Sequence, residues 1–410
     1  MLKKPKKVRE VYFDHAATTY LKKEVLKLME PYFINEYGNP SSLYKKGRIA
    51  NNAINDSRKR IAKLISALPE NIIFTGSGTE SDNLAIFGTC FKYTDKKHII
   101  TTKIEHHAVL YVVEELEKQG WEVTYLDVDK SGLVNIKELV KNIKKETVLI
   151  SVMHANNEMG AIEPIEEIGR KILKYRKENN TEFPYFHTDA CQSAGYLKLD
   201  VEKMHVDLMT INGGKIYGPK GTGMLYVRRG VKLKPQILGG AQEKKLRAGT
   251  ENVAGIVGMT KAFELVQENK EKESDRLKDL SKYLWEEVQK QIPQVKLNGP
   301  EIGSDKRLSN NVNITFENVE GEAMLLYLDE YGIMCSTGSA CTSANLEPSH
   351  VLRAMGLSYE YAHGSLRFSL GLKNTKADVD YMMKWLPDII AQLREMSSAN
   401  FSAGKHPKYK

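Results

Sequence analysis

Residues 206–221 read VDLMTINGGKIYGPKG, an apolar run that ends in four glycines, two lysines and a proline. Glycine is placed where the chain must reach φ > 0 or let a ligand approach the backbone closely. Lysine becomes a covalent catalyst only where burial or a neighbouring cation keeps its amine neutral. A glycine-flanked lysine closing a buried strand therefore suggests a cofactor site. Taken alone, the stretch reads more readily as a surface turn with two solvated lysines.

The surrounding pattern decides between these readings. Short apolar, β-branched runs recur at 71–75 (NIIFT), 98–102 (HIITT), 122–126 (EVTYL), 148–152 (VLISV), 185–188 (YFHT), 206–211 (VDLMTI) and 223–227 (GMLYV). Amphipathic segments such as 109–119 and 163–177 lie between several of them. Repeated β-then-α units predict an α/β fold with a largely parallel sheet, covered by helices on both faces. A long charged helical pattern, 261–291, then leads to a mixed region with strands near 311–316 and 366–370. At 410 residues the chain is too long for one core. The texture change predicts a large domain over 14–262 and a smaller one formed by 1–13 and 263–396, with 397–410 as a disordered tail.

Composition excludes several function classes. No apolar run reaches membrane-spanning length, and the basic start MLKKPKKVRE is not followed by the apolar segment of a secretory signal. Cys90, Cys191, Cys335 and Cys341 lack a CxxC spacing, which argues against a zinc site and a disulfide framework and favours a reducing cytoplasm. The net charge of +8 comes from 60 basic residues interleaved with 52 acidic ones, with part of the excess in the two ends. No basic helix with interleaved aromatics is present, so no nucleic-acid role is expected.

Open α/β sheets bind ligands beyond the carboxyl ends of their strands. After 71–75 comes GSGTESDN, where Gly78 and Thr79 open a helix whose free N–H groups suit a phosphate; Thr79 as a simple cap is the plainer alternative. The stretch is neither a dinucleotide fingerprint nor a Walker A loop. After 98–102 come His106 and His107. After 148–152 comes HANNEMG, with Asn157. After 185–188 comes DACQS, with Asp189 and Gln192. After 206–211 comes Lys215. A phosphate nest, a histidine, an amide, an aspartate and a lysine on one sheet edge match the needs of pyridoxal 5'-phosphate. Lys215 would make the covalent link, Asp189 would keep the pyridine nitrogen protonated, and the helix start would take the phosphate. Arg367, in HGSLRFSLG, suits an α-carboxylate. Cys341, in CSTGSACTSANLEP, has little around it to pack and reads as a reactive thiol. Cys335 and Cys90 read as buried.

With these residues in place, the sequence resembles the cysteine desulfurases of the NifS/IscS type, in the class V aminotransferase group. The likeness runs from FDHAATT (13–19) to RFSLG (367–371) and includes YGNPSS, GTESDNLA, EHHAVL, HANNEMG, HTDACQSAG, KIYGPKG, LRAGTEN and TGSACTS. The resemblance implies fold type I of the pyridoxal-phosphate-dependent transferases. It implies that Lys215 carries the cofactor and moves protons at the substrate α-carbon, with His106 stacked on the ring. Asp189 would pair with the ring nitrogen and Gln192 with the ring hydroxyl. Gly78, Thr79, Asn212 and Thr250 would serve the phosphate, Thr250 across a homodimer interface. Asn157 and Arg367 would hold the carboxylate of L-cysteine. Cys341 would take the sulfur as persulfide for an iron–sulfur scaffold or another acceptor, and could contact a nascent iron–sulfur cluster, without a required metal. A selenocysteine lyase on the same fold is the alternative. Where the family usually has Ser-Gly-His-Lys, this chain has Asn212-Gly213-Gly214-Lys215, so an amide replaces a hydroxyl and an imidazole is missing.

Overall fold

A computed structural model describes residues 8–337 and 348–402, the last six as backbone only. Seven strands form the central sheet: β2 (Ile72–Thr75), β3 (His98–Thr102), β4 (Glu122–Leu126), β5 (Thr147–Ser151), β6 (Tyr185–Asp189), β7 (Leu208–Asn212) and β8 (Gly223–Val227). The short β1 (Val11–Tyr12) precedes them. The strand order is β2-β8-β7-β6-β5-β3-β4. The ladders among β7, β6, β5, β3 and β4 are parallel, whereas β8 runs antiparallel to both of its neighbours. The expected largely parallel sheet is therefore present, with an antiparallel return at the lysine turn, where ten residues (213–222) join β7 to β8 directly. So short a connection leaves no room for a crossover helix.

Strand side chains alternate between two apolar layers. Ile72, Phe74, Met224 and Tyr226 face one layer, packed with the helices Lys23–Ile34, Lys45–Leu64 and Ile165–Glu178. Ile73, Leu225 and Val227 face the other, packed with Gly78–Cys90 and His107–Lys118. A separate core gathers Val11 and Phe13 with a three-stranded antiparallel sheet, β9 (Val295–Asn298), β10 (Asn311–Phe316) and β12 (Ser365–Ser369). The strand β11 (Ile333–Met334) pairs parallel with β1.

Two expectations need adjustment. The helix expected over 261–291 spans Val253–Gln291, because Asn252 caps it through Gly255 N and the small, apolar start VAGIVGM packs under the central sheet. Its first half contributes Ala254, Met259 and Phe263 to the sheet's core, and its second half contributes Leu277, Leu284 and Val288 to the other. The chain thus crosses between the two cores inside this helix. The helix Leu386–Ser402 also carries regular backbone six residues into the segment read as a disordered tail. Its run LREMSSA contains no proline or glycine to stop it.

Candidate active site

The lysine turn is held by its neighbours on all sides. Gly213 has no room for a side chain, since a Cβ would lie 2.3 Å from Thr222 Oγ1. Asn212 Oδ1 accepts from Gly214 N at 2.8 Å and so caps the single 3-10 turn Gly213–Lys215. Thr19 donates through its N–H and hydroxyl to Gly214 O at 3.0 and 2.9 Å, and accepts from Tyr217 N at 2.8 Å. Lys215 Nζ donates to Ala16 O at 2.9 Å and Ala17 O at 2.5 Å. These carbonyls aim the amine at the sheet edge. Lys220 Nζ reaches Thr19 O at 3.3 Å.

Asp189 ends β6 beside this turn and is buried. Its Oδ1 accepts from Cys191 N at 2.8 Å, and among the described residues it has no salt bridge. A buried carboxylate with so little compensation fits a cationic ligand group. His106 caps the helix His107–Lys118 through Nδ1, which accepts from Ala108 N at 3.1 Å. The ring proton of the neutral form therefore sits on Nε2. Burial pulls the His106 imidazole below its usual value; Asp189 acts in the opposite direction, and Lys215 and His350 add to the lowering. Histidine, aspartate and lysine from three different loops are thus within electrostatic reach of one another.

The turn after β2 completes this edge. Ser77, not Thr79, caps the helix Gly78–Cys90, its Oγ accepting from Glu80 N at 3.0 Å. Thr79 is exposed and its hydroxyl is left for another partner. A Cβ on Gly78 would lie 2.8 Å from Cys191 Sγ and 3.4 Å from Asn212 Nδ2. The turn after β2, the lysine turn and the Asp189 loop therefore touch at one glycine. Gln192 Nε2 donates to Ala16 O at 3.0 Å, the same carbonyl that Lys215 uses. A helix start capped only by Ser77, an exposed hydroxyl, a buried carboxylate without a salt bridge among the described residues and a directed amine together fit pyridoxal phosphate.

Arg367, 3% exposed on β12, is brought to the loop after β5. Its Nη1 donates to the backbone carbonyl of Asn157 at 3.0 Å and its Nη2 to Asp14 Oδ1 at 2.7 Å, while Nε has no partner among the described residues. Asp14, unweighed in the sequence although it lies in FDHAATT, thus orients the guanidinium. Thr250 is exposed on a segment tied back by the Arg247–Glu80 ion pair at 2.9 Å and is not joined to this cluster within one chain. Cys341 lies outside the described residues. Cys90 is buried as expected, whereas Cys335 is only half-buried.

Sequence reading also missed the buried titratable groups behind the edge. Glu105 accepts from Thr102 Oγ1 and Met153 N, and burial pushes its carboxyl up to about 8. Glu163 is likewise pushed up to about 8 by burial. Asp82 is buried on the fourth residue after Gly78, and His187 is fully buried on β6. The only sequence signal for Asp82 is its i, i+4 spacing from Gly78, which puts it on the face that the glycine packs.

Comparison with known proteins agrees with this arrangement. The family model described as aminotransferase class-V matches residues 11–382. A cysteine desulfurase IscS of Clostridium botulinum is 52% identical over 392 residues, covering 95% of this chain and 96% of the relative. A solved NifS-like protein superposes with a TM-score of 0.87 at 35% identity, over 94% of this chain and 100% of the other. SspA, solved in complex with cysteine, superposes with a TM-score of 0.75 at 38% identity, over 88% and 98%. A mostly parallel sheet with a lysine turn and an aspartate at its carboxyl edge, together with these matches, places the chain in the class V aminotransferase family.

Proposed function

We propose that this chain is a homodimeric cysteine desulfurase that takes sulfur from L-cysteine, leaves L-alanine and carries the sulfur as a persulfide on Cys341. The observation that carries the reading is the uncompensated buried Asp189 beside Lys215 and His106, on the edge where Arg367 also arrives. Pyridoxal 5'-phosphate, when bound, supplies an aldehyde that captures amines and a protonated ring that draws electrons from the substrate α-carbon. Thr79, Gly78 and Asn212 would hold its phosphate, Asp189 its ring nitrogen, and Gln192 its ring hydroxyl. Thr250 would reach the phosphate from the second subunit.

The chain's own groups then divide the work. Arg367, oriented by Asp14, and Asn157 bind the substrate carboxylate. Lys215 gives up a proton to become a free amine and then carries the proton between substrate atoms. His106 offers Nε2–H, since its Nδ1 is committed to Ala108 N. The Cys341 thiolate attacks the substrate sulfur: an S–S bond forms, the C–S bond breaks, and its electron pair goes to the carbon, which takes a proton and becomes the methyl group of alanine. SspA, a similar structure, was solved with cysteine, which supports a ligand of that size.

The residue blocks 14–262 and 1–13 with 263–396 are read as two domains, supported by the separate cores. The IscS names of relatives support an iron–sulfur scaffold as sulfur acceptor. No described helix is long and apolar enough to cross a membrane; a cytoplasmic setting is supported by the free thiols Cys90, Cys191 and Cys335. Lys215→Ala should abolish both the visible cofactor absorbance and turnover. Cys341→Ala should keep the absorbance and form no persulfide. Sulfide release from cysteine by Cys341→Ala at the parental rate would remove Cys341 from the scheme.

A further inference from the structure

Four polar side chains meet on the sheet face covered by the helix Gly78–Cys90. The period of two puts Ser151 on β5, His187 on β6 and Thr210 on β7 on the same side as Leu149, Tyr185 and Leu208, which belong to that layer. Asp82 descends on them from the helix. All four are 0–1% exposed. His187 Nδ1 lies 2.9 Å from Ser151 Oγ and its Nε2 lies 3.1 Å from Thr210 Oγ1. The same Nε2 is 3.6 Å from Asp82 Oδ1, an atom with no hydrogen-bond partner. Thr210 stands opposite Asp189 in the parallel ladder and also bonds to Asp82. The cluster is therefore immediately behind the carboxylate read as the ring-nitrogen partner.

Charge accounting in this space is restrictive. Among the described residues no lysine or arginine pairs with Asp82. The charged groups facing it are Asp189 and Glu105, both acidic, so a second ionised carboxylate would be repelled and poorly solvated. Burial, and after it Asp189, raises the Asp82 carboxyl well above the usual range, and burial holds His187 down to about 4. A neutral imidazole needs one donor and one acceptor, which the two flanking hydroxyls can supply.

We propose that Asp82 and His187 form a net-neutral buried pair holding one proton, carried by Asp82. As positioning residues, they leave Asp189 to bear the negative charge at this edge. The role given to Asp189 rests on the cofactor reading above; the protonation of Asp82 does not.

Infrared spectra of the full-length protein at neutral pH should contain protonated carboxylic acid carbonyl absorption, to which Glu105 and Glu163 also contribute, and the Asp82→Asn minus parent difference spectrum should show the loss of one such acid. The amide copies a neutral acid, so the dissociation constant for pyridoxal phosphate should stay within about twofold of the parent, while Asp189→Asn weakens binding about tenfold or more, the factor of one pK unit. Loss of a carboxylate band instead, or a tenfold affinity change in Asp82→Asn, would overturn the proposal. Should Asp82→Asn not fold, carbon and nitrogen NMR of the parent decide: a protonated aspartic acid carboxyl together with a singly protonated His187 ring supports the pair as drawn, and a doubly protonated ring, or only ionised aspartates, refutes it. If Asp189→Asn binds the cofactor like the parent, the cofactor reading has failed while the infrared result still decides the proton on Asp82.

Discussion

Replacing Gly78 with alanine tests whether three loops act as one unit. The added Cβ would sit 2.8 Å from Cys191 Sγ, against an optimal separation of about 3.5–4.0 Å for non-bonded heavy atoms. Overpacking of this kind costs about 1–3 kcal/mol. Alanine returns at most about 1 kcal/mol of helix preference over glycine, and less in a first turn. A net loss of about 1–2 kcal/mol follows. Relief by moving Cys191 is not free, because its N–H holds Asp189 Oδ1 at 2.8 Å. The variant should therefore also retain pyridoxal phosphate less well. Cys191→Ala removes the obstructing sulfur, so the double variant should recover most of the stability lost by Gly78→Ala. Urea unfolding of the parent, both single variants and the double variant measures this coupling, and equilibrium dialysis measures cofactor retention. Changes that simply add, within about 0.5 kcal/mol, would refute the claim that the turn after β2 and the Asp189 loop are in contact through that sulfur.

Two further outcomes follow from buried charge. Glu163 is held up to about 8 when folded, so the native chain keeps a proton that the unfolded chain releases near 4.5. The unfolded state then binds fewer protons in that window, and stability of the parent should fall as pH rises from about 5 to about 8. Glu163→Gln should flatten this slope in denaturation series at the two pH values. Glu243 grips Arg58 in a bidentate ion pair at 2.9 and 2.6 Å and accepts from Phe74 N at 2.8 Å. Glu243→Ala strands a mostly buried guanidinium and should cost about 3–5 kcal/mol. It should also expose the left-handed run Glu243–Lys245 to limited proteolysis.

Much of the site edge was legible because each contributing residue follows a strand whose apolar run is short and β-branched. The strands at 98–102, 122–126, 223–227 and 311–316 agree with the structure residue for residue, since charged or turn-forming neighbours bracket them on both sides. The lysine strand is displaced by one or two residues, because Val206 and Asp207 are apolar or buried without joining the ladder; Asp207 instead pairs with Arg176 and Arg228. What stayed hidden depends on distant chain segments. Asp14 and Arg367 are 353 residues apart, and nothing local in either reports their 2.7 Å contact. The cap role of Ser77 was equally hidden: the helix begins one residue before Thr79, at Gly78, a poor helix former that gives no start signal. His187 and Asp82 are polar letters in apolar surroundings, and only the paired geometry gives them a reason to be there.

The helix Val253–Gln291 has a mechanical consequence. At 39 residues it is a rod of about 58 Å. It is bolted near its middle on both sides: Gln267 Nε2 donates to Ala194 O and Leu197 O, and Arg276 donates to Gly371 O and Asn374 O. The first pair of anchors lies a few residues past Asp189, and the second a few residues past Arg367. Nine residues of rod, about 13 Å, thus act as a calliper that sets the span between the loop after Asp189 and the loop after Arg367. Under the function proposed above, a substrate one methylene longer would have to flex that calliper, so the length of the rod between its two anchors would select substrates by length.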